Sequence, residues 1–93
     1  MNIYQSRSFE RKVKKFNKKE KTSLDKEIKK IAHEPLVGTE KKGDLRGIFV
    51  HKFKIQSQLY LLSYRRVSDG LELITFAPHE NYYRDLKTYL KKR

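Results

Sequence analysis

The chain has 93 residues, with 23 Lys plus Arg against 11 Asp plus Glu and a formal net charge of +12. That length allows one domain, over 1–93, because a single core serves roughly 100–200 residues. The absence of Cys excludes disulfides, thiolate metal sites and a Cys nucleophile, and no apolar run approaches the roughly 20 residues of a membrane span.

Residues 2–6 read as a short edge strand with Ile3 inward, and no apolar leader is visible in Met1–Glu10, so a cytoplasmic protein is the expectation. Ser6 or Ser8 is placed to cap a helix, its oxygen taking an orphan backbone N–H. Phe9, Val13 and Phe16 recur at i, i+4 and i+7, one apolar stripe on a helix otherwise made of Arg and Lys. Asn17 marks a break. A second helix carries Leu24, Ile28, Ile31 and Ala32, with Thr22 or Ser23 near its start. Pro35 stops it, because the residue before a proline is pushed out of the helical region.

Residues 35–47 hold Pro35, Gly38, Gly43 and Gly47 and read as an ordered connection. From Ile48 the period changes to two. Phe49, His51, Phe53 and Ile55 point one way, and Val50, Lys52 and Lys54 the other. Gln56-Ser57-Gln58 is a turn, and Leu59–Arg66 is apolar enough for a central strand. Ser68-Asp69-Gly70 reads as a hairpin turn with Gly supplying positive φ. Leu71–Ala77 is the next strand, closed by Pro78. The segment His79–Arg93 is amphipathic through Tyr82, Leu86, Tyr89 and Leu90 and ends in Lys91-Lys92-Arg93, favourable at a helix C-terminus. The predicted order is β-α-α-β-β-β-α: an α+β fold, an antiparallel sheet with two N-terminal helices on one face, a C-terminal helix, and one open face carrying Lys52 and Lys54.

Charge narrows the partners. The surplus is +7 over residues 1–42 and +5 over 43–93, so the whole domain is basic and suits an anionic partner. Cleaving RNA needs a base near the 2′-OH, an acid near the leaving 5′ oxygen and cations around the phosphate. Lys52 and Lys54 either grip one phosphate or simply solvate an exposed face. His79 is either a turn residue or a proton carrier near neutral pH. Glu80 is either a helix-start carboxylate or an acid/base group. Arg46 either pairs with phosphate in two-pronged fashion or closes its loop onto the sheet. Arg65 and Arg66 face opposite sides, so one shares the Lys52/Lys54 face. Of Tyr82 and Tyr83 only one is core, leaving the other to stack on a base. His51, between Phe49 and Phe53, reads as a packed, hydrogen-bonded histidine, and His33 as a helix-end residue. The three scattered His offer no metal-ligand spacing, and no cofactor is expected.

Several blocks together resemble a family. Leu45-Arg46-Gly47, Lys52-Phe53-Lys54, Tyr60-Leu61-Leu62-Ser63-Tyr64, and Leu73–Phe76 running into Pro78-His79-Glu80 are similar, in order and spacing, to the RelE/ParE superfamily of bacterial toxins. The first two look like the RelE ribosome-dependent ribonuclease, and the histidine like the YafQ and YoeB branches. Leu61 stands where RelE carries an arginine, and His79-Glu80-Asn81 replaces its C-terminal arginine region.

The resemblance implies a metal-independent endoribonuclease that cuts mRNA on the ribosome. His79 would be its acid/base group, with Glu80 beside it, Lys52 and Lys54 its phosphate-stabilising cations, and Arg46, Arg65 and Tyr83 substrate contacts. It also implies a small acidic antitoxin as partner, with operator DNA met only through that antitoxin, and no membrane role. Two alternatives stand beside it: a ParE-like poison of DNA gyrase, and a basic RNA- or ribosome-binding module without catalysis.

Overall fold

In the computed structural model, which describes residues 2–81, the chain runs β1 (Asn2–Gln5), α1 (Arg7–Lys14), α2 (Lys18–His33), β2 (Thr39–Glu40), β3 (Ile48–Ile55), β4 (Gln58–Val67) and β5 (Gly70–Pro78). Short 3-10 turns occupy Gly43–Leu45 and His79–Asn81. The sheet order is β1-β5-β4-β3-β2. The three long strands form the expected antiparallel meander. The sheet as a whole is mixed, because β1 pairs with β5 in parallel, Ile3 opposite Leu71. Sequence reasoning also passed over β2, whose two residues pair with Val50 and Phe49 at the other edge. A two-residue strand has no periodicity to read.

Local chemistry sets the helix ends. Ser6 caps α1, its oxygen accepting the Phe9 N–H at 3.1 Å, while its own hydroxyl donates to the Ile74 carbonyl. One side chain thus starts the helix and ties it to β5. α1 ends at Lys14, so Phe16 lies just beyond it but still packs on the core. α2 starts at Lys18, before the expected Thr22 or Ser23, because Asn17 and Glu20 form a reciprocal capping box (Asn17 N to Glu20 Oε1 2.9 Å, Glu20 N to Asn17 Oδ1 2.8 Å). Glu34, before Pro35, ends α2 at φ −138° and ψ 86°, as the proline dictates.

The main core lies between the helices and one sheet face: Phe9, Leu24, Ile31, Phe49, Phe53, Ile55, Leu62, Tyr64, Leu71, Leu73 and Phe76. Each large apolar side chain fully buried there contributes about 1.5–3 kcal/mol. β4 is apolar on both faces because it is central. On the far face Ile48, Val50, Leu61, Ile74 and Ala77 form a second buried cluster with Leu45 beside it. The face expected to be open is therefore exposed on β3 only at Lys52 and Lys54.

Gly70 corrects one expectation. It does not supply positive φ; among the described residues the positive-φ positions are Gln56 and Ser57, in the β3–β4 turn, and Gly43 and Gly47. A Cβ at Gly70 would stand 1.8 Å from the Asn2 carbonyl oxygen, so glycine is there to let β1 approach. Of the expected C-terminal helix, His79–Asn81 is a 3-10 turn. Tyr82, Tyr83, Leu86, Tyr89 and Leu90 lie outside the described residues.

Candidate functional site

The strand period puts Lys52 and Lys54 on one face, two residues apart, so their Cα atoms are separated by about 7 Å. Both are exposed. The register then carries the site across the sheet. Lys52 is opposite Leu61 and Leu61 opposite Ala77, while Lys54 is opposite Leu59 and Tyr60 opposite Pro78. His79, next after Pro78, is therefore level with Leu59 and Lys54. It lies two strand spacings from Lys54, roughly 10 Å between backbones. Its imidazole and the Glu80 carboxylate are exposed, at the start of the 3-10 turn. This end of the sheet thus carries two exposed lysines on β3 and an exposed histidine and glutamate just past the end of β5.

The two arginines lie elsewhere. Arg65 is opposite Ile48, at the other end of β3, and its Nε donates to Glu72 Oε1 on the neighbouring strand. Arg46 is exposed in the loop before β3. Six residues of strand separate Ile48 from Lys54, roughly 20 Å. Arg46 and Arg65 therefore flank the far end of the face. Tyr83 lies outside the described residues. Arg66 is exposed and points away from Arg65, as alternation requires.

His51 is on the helix side, where Nε2 meets Glu27 Oε1 of α2 at 2.8 Å and the ring stacks on Phe53 with centroids 6.0 Å apart. Lys30 Nζ completes the group, 3.2 Å from Glu27 Oε2. This is the packed, hydrogen-bonded histidine expected from the sequence. Its partner Glu27 was not foreseen, although it lies on the same turn-spaced row of α2 as Leu24 and Ile31.

Two further polar features escaped sequence reasoning. Lys12 Nζ donates to Thr75 Oγ1 at 3.0 Å and to the Phe76 carbonyl at 2.9 Å, holding β5 where its pairing with β4 shifts register between Ser63 and Tyr64. A lysine within a run of lysines carries no sign that it is the one turned inward. Tyr64, fully buried, donates to the Pro35 carbonyl at 2.7 Å and accepts from the Gly38 N–H at 3.0 Å. Burial pushes its phenol pKa up, partly opposed by the Gly38 N–H. Among the described residues no group of three or more His, Asp or Glu is gathered to hold a metal ion, and no helix is long and apolar enough to cross a membrane.

A family model described as the ParE-like toxin of type II bacterial toxin–antitoxin systems matches residues 3–87. Among solved structures, an E. coli RelE mutant in the free state is similar at 15% identity, covering 98% of this chain and 94% of that one, with a TM-score of 0.70. The intact E. coli RelBE toxin–antitoxin complex matches at 15% identity, over 82% of this chain and 93% of that chain, with a TM-score of 0.64. An E. coli RelE mutant in complex with an antitoxin RelB peptide matches at 16% identity over 90% of each chain, with a TM-score of 0.63. No curated protein matches the chain. At these identities the structures speak for a shared fold, and the family model speaks for descent. The chain belongs to the ParE-like toxins of type II bacterial toxin–antitoxin systems.

Proposed function

We propose that this toxin acts as a cytoplasmic endoribonuclease that cleaves mRNA, on the ribosome, without a metal cofactor. The observation that carries the reading is the exposed Lys52–Lys54 pair at the same end of the sheet as the exposed His79. An RNA phosphodiester is cut when its own 2′-oxygen attacks phosphorus. The 2′-OH gives up a proton, the P–O5′ bond breaks, and the 5′-oxygen takes a proton. The products are a 2′,3′-cyclic phosphate, or the 3′-phosphate it hydrolyses to, and a 5′-OH. His79 is the proton-exchanging group, with Glu80 beside it. Lys52 and Lys54 offset the charge that builds on the non-bridging oxygens, where a fixed cation acts most strongly. Arg46 and Arg65 then guide the strand beyond the scissile bond, Arg65 from its pair with Glu72. Tyr83, one of two adjacent tyrosines of which only one can be core, is assigned a stacking contact to a base.

The toxin's control follows from its charge. RelE binds RelB in the similar complexes, and a small acidic antitoxin is the matching partner for a +12 domain. Such a chain would cover Lys52, Lys54 and His79, and operator DNA would be met only through it. Incubating the purified toxin with programmed ribosomes in excess EDTA tests the reaction. Fragments ending in 2′,3′-cyclic or 3′-phosphate with 5′-OH partners are expected, and intact mRNA would count against it.

The family model's ParE-like description favours a second reading, a poison of DNA gyrase without ribonuclease chemistry. There the cationic end of the sheet would serve to bind protein or DNA, and His79 would be dispensable.

A further inference from the structure

The end of the sheet that carries His79 continues into a recess on its helix side. We propose that this recess takes one nucleobase of an RNA strand and favours bases with an exocyclic amino group. It deepens the ribonuclease reading and rests on it for the identity of the strand.

The recess has a volume of about 320 Å³, at the small end of ligand sites, which span about 300–1,000 Å³. Its walls are Phe16, Tyr60, Phe76 and Pro78, with Lys15 and Glu20 among the polar groups at its margin. Phe16 stands edge-on to Tyr60, centroids 5.8 Å apart at 86°, and lies 5.1 Å from Phe76. Phe16 and Tyr60 are both only half-buried, so aromatic surface remains for a planar guest. A base stacks on such surface whatever its identity, because every base has a π face.

The polar groups add a preference. The Tyr60 hydroxyl makes no hydrogen bond among the described residues. Burial and the nearby Glu20 charge both push its phenol pKa up, so at neutral pH it is an O–H donor. The Glu20 carboxylate spends Oε1 on the Asn17 N–H of the capping box, leaving Oε2 to accept. An ionised carboxylate only accepts. It therefore suits the amino groups of adenine, cytosine and guanine better than uracil, which shows carbonyl oxygens at the same positions.

Charge and continuity choose an RNA guest over an apolar side chain. Lys15 is exposed beside the recess and suits the attached phosphate. Pro78 both lines the recess and leads directly into His79. Lys52 and Lys54 stand on the opposite face of the sheet, so the strand passes round the sheet's His79 end to set a neighbouring base against the aromatic walls. A hydrophobic protein side chain would fill the walls but leave the Glu20 oxygen and the Tyr60 hydroxyl unanswered.

The test is aromatic-ring NMR of the full chain titrated with AMP, CMP, GMP and UMP, which cannot be cleaved. Saturable shifts of the Phe16 and Tyr60 rings are expected, with UMP at least about threefold weaker than the other three. Phe16→Leu should weaken all four about fivefold, the equivalent of a stacking contribution of about 1 kcal/mol. Glu20→Gln keeps the capping box, since Gln serves at that position too, and should erase the discrimination against UMP. Shifts confined to lysines, equal affinity for UMP, or a preference that survives Glu20→Gln would each overturn the proposal. Ring shifts that appear only with an acidic antitoxin would assign the recess to that partner instead. Nucleotide binding without RNA cleavage would sink the nuclease reading and keep the recess; cleavage with silent rings would do the reverse.

Discussion

Replacing Tyr64 by Phe keeps the buried ring and removes one oxygen, so no cavity complicates the reading. That oxygen serves two backbone groups, accepting the Gly38 N–H at 3.0 Å and donating to the Pro35 carbonyl at 2.7 Å. Both bonds are only part-buried. Each group left unsatisfied therefore costs about 1 kcal/mol, the low end of the 1–3 kcal/mol range, for a total near 2 kcal/mol. In a domain of this size 1 kcal/mol is worth roughly 4–8 °C, so Tm should fall by roughly 8–16 °C. Urea unfolding should show a lower midpoint at unchanged slope. A pH series adds an independent check. The phenol's pKa is raised in the folded state by burial, so its contribution is complete below the unfolded value of about 10 and is lost as pH climbs through the folded value. Tyr64→Phe should therefore lose stability less steeply above pH 10, retaining among the described residues the shares from Tyr4, whose pKa the hydrogen bond to Asp69 raises, and Tyr60, whose pKa burial raises. A Tm drop below about 3 °C, with an unchanged alkaline limb, would refute the idea that this hydroxyl fastens the helix-to-sheet connection.

Lys52→Ala with Lys54→Ala should cost mRNA cleavage at least about tenfold while changing stability by no more than about 1 kcal/mol, as expected of exposed positions; unchanged cleavage or a large loss of stability removes the pair from the site. His79→Gln should abolish most cleavage, keep ribosome binding and remove one limb of the pH–rate profile. A loss below about threefold is too small for a general acid or base, which contributes about 10²–10⁴-fold. A co-expressed small acidic antitoxin should bind tightly and block RNA, with an association rate that falls steeply with salt, because exposed charges are screened beyond about 8 Å at physiological ionic strength. A salt-independent rate in stopped flow would argue for an apolar interface.

Much of this fold is written in periodicity. The alternation in Ile48–Ile55 placed Phe49, His51, Phe53 and Ile55 on the helix side and Lys52 and Lys54 on the other, where they stand. Asn17-x-x-Glu20 also announced the start of α2; the hydroxyl residues Thr22 and Ser23 drew attention from it. Parallel pairing of β1 was not legible, because it depends on how far the helices carry the chain back. Gly70 shows the same limit, since its requirement comes from Asn2, 68 residues away in sequence. The candidate site residues were chosen by side-chain type, which carries no information on how far apart the strands set them. Side-chain type suggested Arg46 and Arg65, whereas register sets them near the far end of β3 and gives Arg65 to Glu72.

The most direct test of the central claim is primer extension on mRNA from bacteria in which the toxin is induced, run beside an assay for gyrase-linked DNA breaks. Discrete cuts within codons, with intact DNA, are the predicted result. Intact mRNA accompanied by gyrase-linked breaks would contradict the ribonuclease account and establish the gyrase reading in its place.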